Sequence, residues 1–145
     1  MNNLVYIIVE DNQPSSHIKQ FLEGQGYELR FFENCDKLYE AYQHKKCILA
    51  IMDMDVSNSD NFAVCAKIRQ TSSVPIILIT SESSDENYIF ENHIFGMSFG
   101  VDVYLKKPFS DITLLTYIRT LLEEVNSGRQ YVNFAYRHNL FVQDF

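Results

Sequence analysis

The chain has 145 residues, 46% of them hydrophobic and 21% charged, and a formal net charge of −7. That length favours one domain with enough apolar residues to bury a core. The acidic balance argues against a chain that grips a phosphate backbone by itself, so DNA contact would need a domain absent from this chain.

Cys35, Cys47 and Cys65 are scattered and show neither metal spacing nor a disulfide framework. Cys47 and Cys65 fall inside apolar patterns and read as small buried hydrophobes. His17, His44, His93 and His138 show no ligand spacing. The opening MNNLVYIIVEDN has no basic region and no cleavage-like site. The longest apolar runs are too short to span a bilayer. A cytoplasmic protein with no membrane partner is expected.

Leu4–Val9 is a continuous apolar run, as in a strand buried on both faces. Pro14 can open a helix whose apolar face is Ile18, Phe21 and Leu22, with Gly24 or Gly26 to end it. Tyr27–Phe32 alternates weakly and is rich in strand formers. Asp36–Gln43 predicts a short helix, Cys47–Met52 a fully apolar strand, and Asp60–Gln70 a helix carrying Phe62, Cys65 or Ala66, and Ile68. Pro75–Ile79 is another apolar run, a helical stretch lies between Asp85 and Ser98, and Val101–Leu105 is the last strand. Ser110 caps a final helix with the stripe Leu115, Ile118, Leu122 and Val125, closing at Gly128. This alternation predicts an α/β fold: a parallel sheet covered by helices on both faces, with ligands beyond the carboxyl ends of its strands.

The polar residues gather at those ends. Glu10 and Asp11 follow the first run, Asp53 the third, Thr80 and Ser81 the fourth, and Lys106, Lys107 and Pro108 the fifth. Independent turns have no reason to supply three carboxylates, a hydroxyl and an ammonium to one edge. Three close carboxylates need a hard dication, and oxygen donors favour Mg²⁺. A carboxylate nucleophile can attack phosphorus to form an acyl phosphate. Mg²⁺, Lys107 and a hydroxyl can then share the charge on the transferred oxygens.

The segments IIVEDN, AIMDMDVSNSDNFAVCAKIR, PIILITS and VDVYLKKPF resemble the four signature segments of bacterial response-regulator receiver domains, over about residues 4–125. The resemblance implies a flavodoxin-like five-stranded parallel sheet in the order 2-1-3-4-5 with five helices. It implies that Glu10 and Asp11, with Asp53, hold Mg²⁺, and that Asp53 accepts a phosphoryl group from a sensor histidine kinase. It makes Thr80 the switch hydroxyl, Lys107 the phosphate-binding lysine joined to Pro108 by a cis bond, and Tyr104 the aromatic that rotates on activation. Asp55, Ser81 and Glu82 would flank the site; the two carboxylates would make its mouth more negative.

Several positions depart from the family. Ser57 and Asn61 stand where receivers usually carry Pro and Gly. The stretch Ser81–Phe95 is a few residues longer than usual and unusually apolar, which suits either a longer helix or a partner-binding face. Val103 and Tyr117 replace a charged pair that one class of receivers uses to dimerise through the fourth helix, last strand and last helix. A homodimer through that face is therefore expected to have altered contacts, or to be lost.

Two alternatives stand beside this reading. Asp53-Met54-Asp55-Val56 also resembles the first motif of haloacid dehalogenase-type phosphatases, whose later acidic ligands have no counterpart after Lys107. A pseudo-receiver that only binds would not need the full set Asp11, Asp53, Thr80 and Lys107. The chain is expected not to be an enzyme beyond its own phosphorylation and dephosphorylation. Residues 1–125 would form the receiver. Residues 126–145 would be a linker or tail, with NLFVQDF like an opening strand of a winged-helix DNA-binding domain of a transcriptional regulator; a stand-alone receiver acting through protein contacts is the alternative.

Overall fold

The computed structural model describes residues 2–9, 13–53, 61–80 and 100–126; of residues 13–16, 61 and 62 it describes the backbone only. The elements are β1 (Leu4–Ile8), α1 (Gln13–Gly24), β2 (Glu28–Phe31), α2 (Cys35–His44), β3 (Leu49–Asp53), α3 (Asn61–Thr71), β4 (Ile76–Thr80), β5 (Val103–Lys106) and the last helix, α4 (Asp111–Asn126). The strands form one parallel sheet in the order β2-β1-β3-β4-β5, as expected. Four helices lie among the described residues. The fifth expected one, between Asp85 and Ser98, falls outside them, as do Ser57 and the tail beyond Asn126.

Successive strand residues point to opposite faces, so each strand feeds two cores. Tyr6, Ile8, Met52, Ile76 and Leu78 pack with Cys35, Leu38, Cys65 and Ile68 of α2 and α3. Val5, Ile7, Ile51, Ile77 and Ile79 pack with Leu22 of α1 and Leu114, Ile118 and Leu121 of α4. Every residue of the three inner strands is buried, while β2 at the edge is largely exposed. No helix among the described residues is long and apolar enough to cross a membrane.

Local signals set the helix ends. After α1, the Tyr27 amide donates to the Leu22 carbonyl at 3.2 Å and the Gly26 amide to Glu23 at 3.0 Å. This cap needs a positive φ, supplied by Gly26 at 97°. Asn34 caps α2 by accepting from the Lys37 amide at 2.9 Å, and Ser110 caps α4 by accepting from the Thr113 amide at 3.1 Å. The stripe expected for α4 is corrected. Its buried face is Leu114, Leu115, Ile118 and Leu121, with Leu122 and Val125 only half-buried. The helix touches both the sheet and α1, so its apolar contact is wider than one stripe and turned toward Leu114.

All three cysteines are buried, and no disulfide joins them. Burial pushes the Cys47 thiol from 9.0 up to about 11. The unfolded chain therefore ionises first, and stability falls as pH rises from about 9 toward about 11, by at most about 1.4 kcal/mol per pH unit. Burial also raises the Tyr6 and Tyr42 phenols above 10.0, which adds to the fall from about pH 10 upward. Urea midpoints at pH 8 and 10 should fall less in Cys47→Ala than in wild type; identical falls would remove the thiol from the account.

Candidate functional site

Three adjacent strands deliver the site. In register, Asp53 lies beside Ile79, Ile79 beside Leu105, and Thr80 beside Lys106. Asp53, Thr80 and the Lys106–Lys107 pair therefore share one level at the carboxyl edge of the sheet. The Lys107 amide donates to the Thr80 carbonyl at 2.8 Å, which carries the ladder one residue past β5. The Lys107–Pro108 peptide is cis.

The two lysines are told apart by alternation. The Lys107 ammonium lies 2.6 Å from the Asp53 carboxylate. Lys106 falls on the opposite face, that of Tyr104 and Thr80. Asp53 is 2% exposed, Thr80 5% and Tyr104 4%, so the carboxylate, hydroxyl and phenol all sit below the surface. The Lys107 side chain is 32% exposed, so a charge arriving from solvent can reach it. Tyr104 packs in the same core as Met52 and Leu78.

Of the expected site residues, the structure thus brings together Asp53, Thr80 and Lys107, with Tyr104 on the strand beside Thr80. Glu10, Asp11, Asp55, Ser81 and Glu82 lie outside the described residues. Val103 is fully buried, and Tyr117 packs against the same core cluster.

A second polar centre, at the opposite end of the sheet, was not anticipated. Arg69 of α3 lies 3.0 Å from the Asp102 carboxylate, which is 1% exposed. The guanidinium also donates to the carbonyls of Gly100, Ser72 and Val74 at 2.7, 3.1 and 2.8 Å. Asp102 in turn accepts from the Ile76 amide at 2.7 Å. Gly100, at φ 89°, leaves room for this: a Cβ there would lie 2.8 Å from Arg69 Nε. This centre clamps the starts of β4 and β5 to α3, and so fixes the strands whose far ends carry Thr80 and Lys107. An acidic residue inside the apolar run Val101–Leu105 was the available signal.

Comparison with known proteins bears on the family and the fold. The model of the response regulator receiver domain matches residues 6–119. An uncharacterized transcriptional regulatory protein, YclJ, of Bacillus subtilis is 29% identical over 117 residues, or 80% of this chain and 49% of the relative. The chain thus spans about half the length of that curated relative. Among solved structures, a CheY-like receiver domain from Methanospirillum hungatei is 22% identical with a TM-score of 0.77, over 89% of this chain and 100% of that one. The activated receiver domain of Klebsiella pneumoniae RstA is 24% identical with a TM-score of 0.71, over 83% and 98%. These two structures support the fold. The family match also sets aside the haloacid dehalogenase-type alternative. The chain belongs to the response regulator receiver domain family of two-component signalling.

Proposed function

We propose that Asp53 is the phosphoacceptor of a two-component phosphorelay, receiving its group from a sensor histidine kinase. The observation that carries this is the buried Asp53 carboxylate, ion-paired to Lys107 at 2.6 Å at the end of the central strand. A carboxylate oxygen of Asp53 forms the new bond to phosphorus. The bond from phosphorus to the donor breaks, and the donor leaves with its electron pair. Lys107, already beside the nucleophile, turns to the transferred oxygens, and the Thr80 hydroxyl donates to another. The chain turns over no separate substrate.

The donor set suits Mg²⁺. Asp53 offers a hard carboxylate at a strand end, and Glu10 and Asp11 would complete an all-oxygen set with few protein ligands. When bound, the ion supplies positive charge against the incoming phosphoryl oxygens. Incubation with acetyl phosphate and Mg²⁺ should add one phosphoryl group to the intact mass of wild type and none to Asp53→Asn. Equal addition to both would overturn the assignment.

Thr80 and Tyr104 form the switch, because hydroxyl and phenol share one face of adjacent strands next to the acceptor. Phosphorylation shifts a population in which both move toward the site. Beryllofluoride, a phosphoryl mimic, should shift backbone resonances of Thr80, Tyr104 and residues 111–118. Changes confined to the neighbours of Asp53 would contradict signalling through this face.

The receiver occupies residues 1–125, and residues 126–145 are a linker or tail outside it. The relative's name and length support a transcriptional output made by a part beyond this chain. A homodimer on the face of β5 and α4 would lack the charged pair, because Val103 is fully buried in the core and of the two positions only the half-buried Tyr117 is open to a partner. The setting of this activity is the cytoplasm.

A further inference from the structure

We propose that β2 is a self-pairing edge: a second copy of this chain adds its own β2 antiparallel to it, centred on Leu29, so that one sheet runs through both copies. The strand stands at the end of the sheet, with β1 on one side, and among the described residues no strand pairs with its other side. The bonds it already makes fix which peptide groups face outward. The Glu28 amide donates to the Asn3 carbonyl at 3.0 Å and the Phe32 amide to the Ile7 carbonyl at 2.9 Å, so positions 28, 30 and 32 turn their peptide groups toward β1. By alternation Leu29 and Phe31 turn theirs outward, as a template for another strand.

The side chains select a second copy as that strand. A two-fold pairing in which the Leu29 residues of the two copies exchange N–H···O=C bonds sets each Glu28 opposite Arg30 of the other copy. Those positions are non-hydrogen-bonded pairs, where side chains approach closest. On the other face each Phe31 meets Tyr27 of the other copy, and its amide can donate to that Tyr27 carbonyl. The Tyr27 amide is already bound to the Leu22 carbonyl at 3.2 Å, so each end of the pairing adds one bond rather than two. Residues 27–31, laid against themselves, thus give two opposite-charge pairs and two aromatic pairs, the pairs that stabilise sheets. Sliding the pairing by two residues sets Arg30 against Arg30, or Glu28 against Glu28, so the charges also fix the register. Glu28 and Arg30 are exposed, and Phe31 is 41% exposed, apolar area that the pairing would bury. The Arg30 guanidinium already lies 5.7 Å from the Tyr6 ring centre and 5.5 Å from that of Phe32, so pairing has less side-chain freedom to remove. Strands β2 and β5 are opposite edges of the sheet, so this contact leaves the β5 face open. It rests on the fold alone and not on the role of Asp53.

The test is sedimentation equilibrium of the full chain at low salt over a rising concentration series, with amide hydrogen exchange read by NMR at both ends of the series. Wild type should pass from monomer to dimer, and the Leu29 and Phe31 amides should exchange more slowly in the dimer. Glu28→Arg and Arg30→Glu each turn both opposite-charge pairs into like-charge pairs and should weaken dimerisation by roughly tenfold or more. Glu28→Arg combined with Arg30→Glu restores the pairs in swapped order and should dimerise as wild type does. A wild type that stays monomeric throughout would overturn the proposal. So would a dimer whose Leu29 and Phe31 amides exchange as in the monomer, which would put the contact on another face; this reading holds even if a variant does not fold. Single variants that dimerise as tightly as wild type, or a double variant no tighter than the singles, would overturn it as well.

Discussion

Arg69→Ala is expected to destabilise the protein by about 3–5 kcal/mol, the range for removing one partner of a buried ion pair. The substitution leaves the Asp102 carboxylate, 1% exposed, without its cation, and removes donors to the Gly100, Ser72 and Val74 carbonyls as well. An exposed pair makes the contrast. Lys37 in the first turn of α2 lies 2.8 Å from Glu33, just before the helix, but both side chains are mostly in water, so Lys37→Ala should barely move the unfolding midpoint. Urea unfolding of both variants decides the matter. Equal midpoints for Arg69→Ala and wild type would show that the clamp contributes nothing net to stability.

Lys107→Ala is expected to slow acetyl-phosphate labelling of Asp53 by roughly 10²–10³-fold, the usual loss when one charge-stabilising donor is removed from a reacting site. The ammonium lies 2.6 Å from the Asp53 carboxylate, so in the proposed reaction it is placed to follow the phosphoryl oxygens as they arrive. Lys106→Ala should have a far smaller effect on that rate, because alternation turns Lys106 to the other face of the sheet. A labelling rate for Lys107→Ala within threefold of wild type would contradict the role. A larger loss in Lys106→Ala would transfer the role to the neighbouring lysine.

Much of the sheet could be read from the chain because parallel strands buried on both faces must be apolar throughout. LVYII, LAIMD and IILIT carry that signature whatever surrounds them. Asp53 and Lys107 stood out for the same reason: each ends such a run, and a parallel sheet gathers its strand ends on one edge. The element bounds moved by a residue or two, since strand pairing rather than hydropathy decides where a strand starts. Cys47 is buried yet precedes β3, and Asp53 and Thr80 are paired members of their strands.

What the chain did not reveal depends on contacts between elements distant in sequence. Arg69 and Asp102 are 33 residues apart: an acid inside the apolar run Val101–Leu105 stands out in the chain, but its cation does not until α3 is packed against the start of β5. The α4 stripe was misplaced because hydropathy cannot tell which side of Leu115 the sheet lies on.

The central claim is the identity of the acceptor, and the direct measurement is to locate the phosphoryl group. After incubation with acetyl phosphate and Mg²⁺, the labelled protein is digested and the modified residue identified by fragment mass spectrometry. The group is expected on Asp53. A phosphoryl group on Asp55, Asp11 or any other residue, with Asp53 unmodified, would contradict the account.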